Sequence, residues 1–273
     1  MRKFYFGVLA IAMPALLLLT GRAAAAQSYV ELLKQTYSAS AQTLDLYVPA
    51  APRKKTALIF IHGGSFVLGQ KEDMQGYAKL YAQGGFVSTT INYRLAPQAV
   101  FPAALDDVQA AVHWLKQRGG AYGYETPQKV VLIGYSAGAN LALMAGLADQ
   151  SGVAGVVSAA APSDLRSLLA STPYQDLKDD LNAYLAGADP DVASPLYQAS
   201  AGDPPVLLSH GQLDMLVPVS QSVAMAQRLQ DAHVPVLLRI FPNVGHEILL
   251  PNPSLSQLID EMTKFILGIE AST

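Results

Sequence analysis

The pentapeptide Gly134-Tyr135-Ser136-Ala137-Gly138 is the segment of this chain best suited to covalent chemistry. It reads G-x-S-x-G and lies between a predicted buried strand, Val130 to Gly134, and a predicted helix, Ala137 to Ala148. That setting gives the string its meaning. A sharp strand-to-helix turn lifts the serine above the sheet edge, and the glycines remove side chains that would strike the neighbouring strand and helix. The helix N-terminus adds backbone N–H groups without intrahelical acceptors. The bland alternative is a glycine-rich turn with an ordinary serine, and the placement disfavours it.

A serine hydroxyl is a poor nucleophile at neutral pH and needs a base. The chain offers five histidines. His113 lies inside a long predicted helix and is expected to pack. His233 ends a helix, where it suits the C-terminal dipole. His62 opens a glycine-rich segment. His210 closes a strand just before Gly211 and is expected to steady the loop beyond it. His246, in Pro242-Asn243-Val244-Gly245-His246, comes after the predicted strand Val236 to Phe241 and before the last helix. It therefore falls at the carboxyl edge of a parallel sheet, beside Ser136, and is the predicted base.

An acid must hold the imidazole tautomer and stabilise the imidazolium. Asp214 comes after the predicted strand Pro205 to Ser209 and reaches the same edge. The chain order Ser136, Asp214, His246 is a recognised order for such a set on a strand–helix scaffold. Asp203 falls at the amino end of that strand, and Asp189 and Asp191 fall in an insertion, so they are weaker candidates. A loop-capping Asx turn is the plain alternative for Asp214. Acyl transfer also needs preorganised N–H donors for an oxyanion. His62-Gly63-Gly64-Ser65-Phe66, after the predicted strand Ala57 to Ile61, has the composition for one donor site, since glycine lets the backbone approach a carbonyl closely. The N–H of Ala137, next after the nucleophile, is the natural second donor.

The elements that position these residues alternate. Strands are predicted at Thr43 to Val48, Ala57 to Ile61, Phe86 to Asn92, Val130 to Gly134, Val153 to Ala159, Pro205 to Ser209 and Val236 to Phe241. Helices are predicted at Met74 to Gln83, Pro102 to Arg118, Ala137 to Ala148, Ser220 to Ala232 and Ser254 to Leu267. Short continuous apolar runs such as Ala57 to Ile61 mark strands covered on both faces. Such alternation predicts an α/β fold, a mostly parallel central sheet with helices on both faces. Ligands of such sheets sit beyond the carboxyl ends of the strands. Residues 163–203 break the rhythm, and an insertion of about 40 residues there is expected to be a lid over the site. Phe66, Tyr135, Leu249, Tyr174 and Tyr184 are candidate pocket walls for small acyl or aryl groups, the insertion's aromatics equally candidates for its own core.

The chain has 273 residues, 51% hydrophobic and 14% charged, with no cysteine and a formal net charge of -3. That composition excludes a disordered chain, a disulfide scaffold, a thiolate metal site and a cysteine nucleophile. It is too acidic for phosphate-driven nucleic-acid binding. Arg2 and Lys3, the apolar run Phe4 to Leu19 and Ala23 to Ala26 have the layout of a secretory signal cleaved after Ala26. Residues 1–26 are thus predicted to be a signal peptide and 27–273 one domain, exported to the periplasm or medium, with no stable membrane association. An uncleaved anchor is disfavoured by the short run and by Pro14.

Taken together, the chain resembles the α/β-hydrolase superfamily and, within it, secreted carboxylesterases of the feruloyl-esterase-like and hormone-sensitive-lipase-like kind. The segments that carry the resemblance are Leu44-Asp45-Leu46-Tyr47-Val48-Pro49, His62-Gly63-Gly64, Asn92-Tyr93-Arg94-Leu95-Ala96-Pro97, Gly134 to Asn140, Pro205 to Pro218 and Gly245-His246. The resemblance implies oxyanion donors at Gly64 and Ser65, with Gly63 shaping the turn, and no metal or organic cofactor. The chain departs from the lipase-like pattern at Ser65, where a third glycine is usual, and at Tyr135, where an acid is usual. The expected activity is hydrolysis of small carboxylic esters through an acyl-enzyme. An arylformamidase-like amidohydrolase and a non-catalytic hydrolase-like binding protein are the alternatives.

Overall fold

The computed structural model describes residues 28–50, 54–148 and 152–272. The predicted signal segment lies outside the described residues. Eight strands form one sheet: β1 (Tyr29–Thr36), β2 (Thr43–Pro49), β3 (Thr56–Ile61), β4 (Val87–Ile91), β5 (Lys129–Tyr135), β6 (Gly155–Ala159), β7 (Val206–Gly211) and β8 (Val236–Phe241). Their order is β1-β2-β4-β3-β5-β6-β7-β8. β2 runs antiparallel to β1 and β4, and every later pairing is parallel. The mostly parallel sheet expected from the alternation is therefore present.

Seven helices complete the fold among the described residues: α1 (Gln75–Gln83), α2 (Ala103–Gln117), α3 (Ala137–Gly146), α4 (Leu165–Ser171), α5 (Gln175–Leu185), α6 (Ser220–Asp231) and α7 (Leu255–Ala271). β3 is buried along its whole length because both of its faces are covered. Its alternate side chains divide between two cores. Ala57, Ile59 and Ile61 pack with Val108 and Leu115 of α2, Leu141 of α3 and Met225 of α6. Leu58 and Phe60 pack on the other face with Tyr77 and Tyr81 of α1 and with Leu258, Met262 and Ile266 of α7. The four-residue spacing of those α7 residues is one stripe of a helix. Every residue of α3 is buried, so its small side chains let it lie close to the sheet.

β1 gave no clear signal in the sequence. Its register against β2 shifts between Leu32 and Gln35, with Lys34 at a φ of 55°. A bulge breaks the period-two alternation by which a strand is recognised. The Lys34 N–H donates to Asp45 Oδ1 at 2.8 Å, and the buried Lys71 ammonium meets Asp45 Oδ2 at 2.8 Å. One carboxylate thus ties both the bulge and the segment after Gly69 to β2.

The insertion at 163–203 contains α4, α5 and single 3-10 turns at Pro190–Ala193 and Pro195–Tyr197. It is fastened to the sheet domain by buried polar contacts. Gln221 Oε1 of α6 accepts from the Ser163 and Asp164 N–H groups at 2.9 and 2.7 Å. Asn140 Nδ2 of α3 donates to the Pro162 and Ala193 carbonyls at 2.9 and 3.1 Å.

Candidate active site

Parallel pairing decides where the chemistry assembles. Ile61 of β3 stands opposite Gly134 of β5, so the chain leaving β3 runs beside the chain leaving β5. Gly211 of β7 stands opposite Phe241 of β8. Four loops therefore open at one carboxyl edge, carrying Gly63 to Ser65, Ser136, Asp214 and His246.

Ser136 turns the chain from β5 into α3 with φ 53° and ψ -120°. Such a conformation costs about 1–3 kcal/mol and persists only where the surroundings enforce it. Enforcement is visible. The Ser136 N–H donates to the Ala159 carbonyl at 2.8 Å. A Cβ on Gly134 would lie 2.2 Å from the Gly138 carbonyl oxygen, and one on Gly138 would lie 2.3 Å from the His62 carbonyl oxygen. Both glycines act as the sequence pattern anticipated.

His246 Nε2 lies 3.0 Å from Ser136 Oγ, and His246 Nδ1 lies 2.7 Å from Asp214 Oδ2. A carboxylate accepts only, so Nδ1 carries the proton and Nε2 presents a lone pair to the serine hydroxyl. Asp214 is also an Asx turn: Oδ1 accepts from the Leu216 and Val217 N–H groups at 3.0 and 2.8 Å. The contact to His246 and the loop cap therefore coexist, one on each oxygen. Burial would raise this carboxyl's pKa, but hydrogen bonds from His210 and His246, the charge of His246 and the Val217 N–H outweigh it and hold it well below the usual carboxylate range.

The backbone N–H groups of Gly64, Ser65 and Ala137 meet no acceptor among the described residues. Gly64, Ser65 and Phe66 all have positive φ, at 114°, 51° and 66°. A Cβ on Gly63 would lie 3.0 Å from the Tyr135 carbonyl oxygen and 3.1 Å from Ser136 Cβ, so this glycine lets the loop lie against the nucleophile.

The BD-FAE family pattern matches residues 44–229, a stretch that contains the glycine loop, Ser136 and Asp214. The chain belongs to the BD-FAE family. It is an α/β-hydrolase by sequence and by architecture. Esterase LipQ of Mycobacterium tuberculosis is 28% identical over 245 residues, covering 81% of this chain and 56% of LipQ, so the match spans little more than half of that relative. An acetyl-hydrolase of Streptomyces hygroscopicus is 30% identical over 219 residues, covering 73% of this chain and 70% of the relative. A truncated carbohydrate esterase from gut microbiota has the same fold, with a TM-score of 0.77 at 22% identity, over 91% of this chain and 99% of the other.

Several side chains of this BD-FAE member play parts that sequence reasoning did not assign. His210 Nε2 donates to Asp214 Oδ2 at 3.1 Å and to the Val217 carbonyl at 2.8 Å, while its Nδ1 accepts from Ser222 Oγ at 2.7 Å. The expected loop support is therefore also a hydrogen bond to Asp214. The signal was the four-residue step from His210 to Asp214 across Gly211. Tyr135 O–H donates to the His246 carbonyl at 2.9 Å, so the residue before Ser136 fixes the backbone of His246. Phe66 and Tyr184, candidate pocket walls, are buried against each other, and Tyr174 is 40% exposed. Asp189 and Asp191 pair with Arg166, Asp203 caps the Ser200 N–H at 2.7 Å, and His113 and His233 are both exposed, so His113 lies on the outer face of α2 and does not pack.

The acid and base loops are knitted by backbone. Gln212 N–H donates to the Phe241 carbonyl at 3.0 Å, and Leu213 N–H to the Val244 carbonyl at 2.9 Å. A Cβ on Gly211 would lie 2.2 Å from the Gly245 oxygen and 2.4 Å from the Val244 oxygen. Gly211→Ala must displace the turn that carries the base. Overpacking of this kind costs about 1–3 kcal/mol. A catalytic group misplaced by about 1 Å costs on the order of 100-fold in rate. Thermal melting and ester turnover of Gly211→Ala should both fall, and an unchanged kcat would contradict this close approach.

His62 anchors the start of the glycine loop. Its ring stacks on Tyr93 with centroids 4.3 Å apart, and its Nδ1 donates to the Gly63 carbonyl at 2.7 Å. Burial lowers its pKa to about 4, against the upward pulls of that carbonyl and of Glu72. An unfolded histidine titrates near pH 6.5. Between about pH 6.5 and pH 4 the unfolded chain gains a proton that the native site refuses, so stability falls with pH across that window and levels off below it. The loss attributable to His62 is on the order of 3 kcal/mol. Urea midpoints at pH 7.5 and 4.5 should drop further for the wild type than for His62→Gln. Equal drops would remove His62 as the cause.

Proposed function

We propose that this chain is a serine carboxylesterase that hydrolyses small carboxylic esters through an acyl-enzyme. The observation that carries the reading is the continuous relay from Ser136 Oγ through His246 to Asp214, at 3.0 and 2.7 Å, on the edge where three backbone N–H groups meet no acceptor among the described residues. In the acylation step, His246 Nε2 takes the Ser136 proton as Oγ bonds to the ester carbonyl carbon. The carbonyl electron pair moves onto its oxygen, which the N–H groups of Gly64, Ser65 and Ala137 receive. Collapse of this adduct breaks the bond to the alkoxy group, and His246 returns the proton to the leaving alcohol. Water repeats the sequence in reverse, releasing the acid and restoring Ser136. Each oxyanion donor contributes about 100- to 1,000-fold. Asp214 keeps the proton on Nδ1 and remains ionised throughout.

A short acyl group is favoured. The support is the relative named acetyl-hydrolase. A series of p-nitrophenyl esters from acetate to palmitate, run beside acetylated xylan and methyl ferulate, tests the substrate class. The expected result is a kcat/KM that is highest for the shortest acyl chains and falls along the series. A maximum at palmitate would overturn the short-acyl assignment. Residues 1–26 support export, and N-terminal sequencing of the exported protein should begin at Gln27.

A further inference from the structure

The glycine loop holds an unusual backbone. Three successive residues, Gly64, Ser65 and Phe66, have φ of 114°, 51° and 66°. Glycine accepts such angles, but two consecutive non-glycine residues hold them only where neighbours over-determine them. The Gly64 carbonyl receives the Val67 and Leu68 N–H groups at 3.0 Å, and the Phe66 carbonyl receives the Ala96 N–H at 2.9 Å. These contacts fix the far side of the loop. A further hold is on the Phe66 ring, which lies flat on Tyr184 with centroids 3.9 Å apart and planes 6° from parallel.

Tyr184 comes from α5, inside the insertion, far along the chain from the loop it touches. It is well seated there. Its carbonyl accepts the Phe101 N–H at 2.8 Å, and the Phe101 ring meets it edge-on at 5.9 Å. Its hydroxyl is buried with no hydrogen-bond partner among the described residues, so the ring and not the O–H does the holding. We infer that Tyr184 is a positioning residue for ester hydrolysis: by stacking on Phe66 it keeps the Gly64 and Ser65 N–H groups aimed at the oxyanion. The insertion then forms part of the catalytic frame. This inference rests on the acyl-transfer reading proposed for the site.

Three variants test it: Tyr184→Leu, Tyr184→Phe and Phe66→Leu. Active sites are counted by exhaustive fluorophosphonate labelling, and kcat for p-nitrophenyl acetate is expressed per labelled site. The expected result for Tyr184→Leu is a kcat at least tenfold lower with KM within about twofold, because the lost interaction belongs to the transition state. Binding of a trifluoromethyl ketone, whose adduct also places charge in the oxyanion site, should weaken in step. Tyr184→Phe keeps the ring and should match the wild type. If Tyr184→Leu does not accumulate as folded protein, Phe66→Leu tests the same stack with the same expected result. A Leu variant with a lower melting temperature but wild-type kcat per labelled site would overturn the inference, as would a Phe variant as slow as the Leu variant. Failure of the wild type itself to label would instead strike the acyl-transfer reading.

Discussion

Ser136→Ala should lower kcat for p-nitrophenyl acetate by about 10⁵- to 10⁶-fold, the loss typical of removing a serine nucleophile from an assembled relay. The substitution deletes Oγ alone. Alanine has the same Cβ, so it can hold the φ of 53° that serine holds, and the Ser136 N–H bond to Ala159 is retained. Melting temperature should therefore stay close to wild type, which separates lost chemistry from lost folding. Some turnover above the uncatalysed rate should survive, because the oxyanion donors and substrate binding remain. KM need not rise, since Oγ forms its bond on the way to the transition state. A melting temperature many degrees lower would instead place Oγ in the packing of the elbow.

Asp214→Asn should cost about 10⁴-fold in kcat, through the tautomer of His246. The geometry allows the amide no good orientation. Oδ2 receives two histidine N–H groups, and Oδ1 receives two backbone N–H groups. If the new NH2 faces the histidines, it confronts donors and pushes the His246 proton to Nε2, where it faces Ser136. If the NH2 faces Leu216 and Val217, the turn loses its cap. Either arrangement leaves buried donors unsatisfied, at about 1–3 kcal/mol. The pH dependence of stability should change too. The native carboxyl is held well below its ordinary range. Its contribution is complete above the unfolded value near 3.9 and is lost as pH falls toward the native value. The amide of the Asp214→Asn variant does not titrate and has no such contribution to lose, so the variant's stability should be flatter below pH 4. Denaturation at pH 7 and pH 3 measures both effects, and parallel profiles for variant and wild type would contradict them.

The meeting of Ser136, Asp214 and His246 was legible because parallel topology converts one-dimensional position into place. Ser136, Asp214 and His246 each come just after a strand-like run, and strands of one direction deliver their C-terminal loops to one edge. Gly134 and Gly138 were legible through the collisions a side chain would make there. Other features were hidden for identifiable reasons. β1 carries a bulge that destroys its alternation. The Asx-turn and catalytic readings of Asp214 looked like rivals because residue type does not assign a partner to each oxygen. The stack of Phe66 on Tyr184 depends on how the insertion folds back, and no local pattern in either segment encodes it. Aromatics near a site read equally as pocket wall or as core, and burial alone decides between them.

Covalent capture tests the nucleophile most directly. The wild-type protein is treated with a fluorophosphonate, then examined by intact mass and peptide mapping. The relay predicts a single adduct, on the peptide containing Ser136, absent from Ser136→Ala and formed far more slowly when His246 is replaced by Ala. Ester hydrolysis by a protein that carries no adduct, or carries it on another residue, would contradict the assignment of Ser136 as the nucleophile.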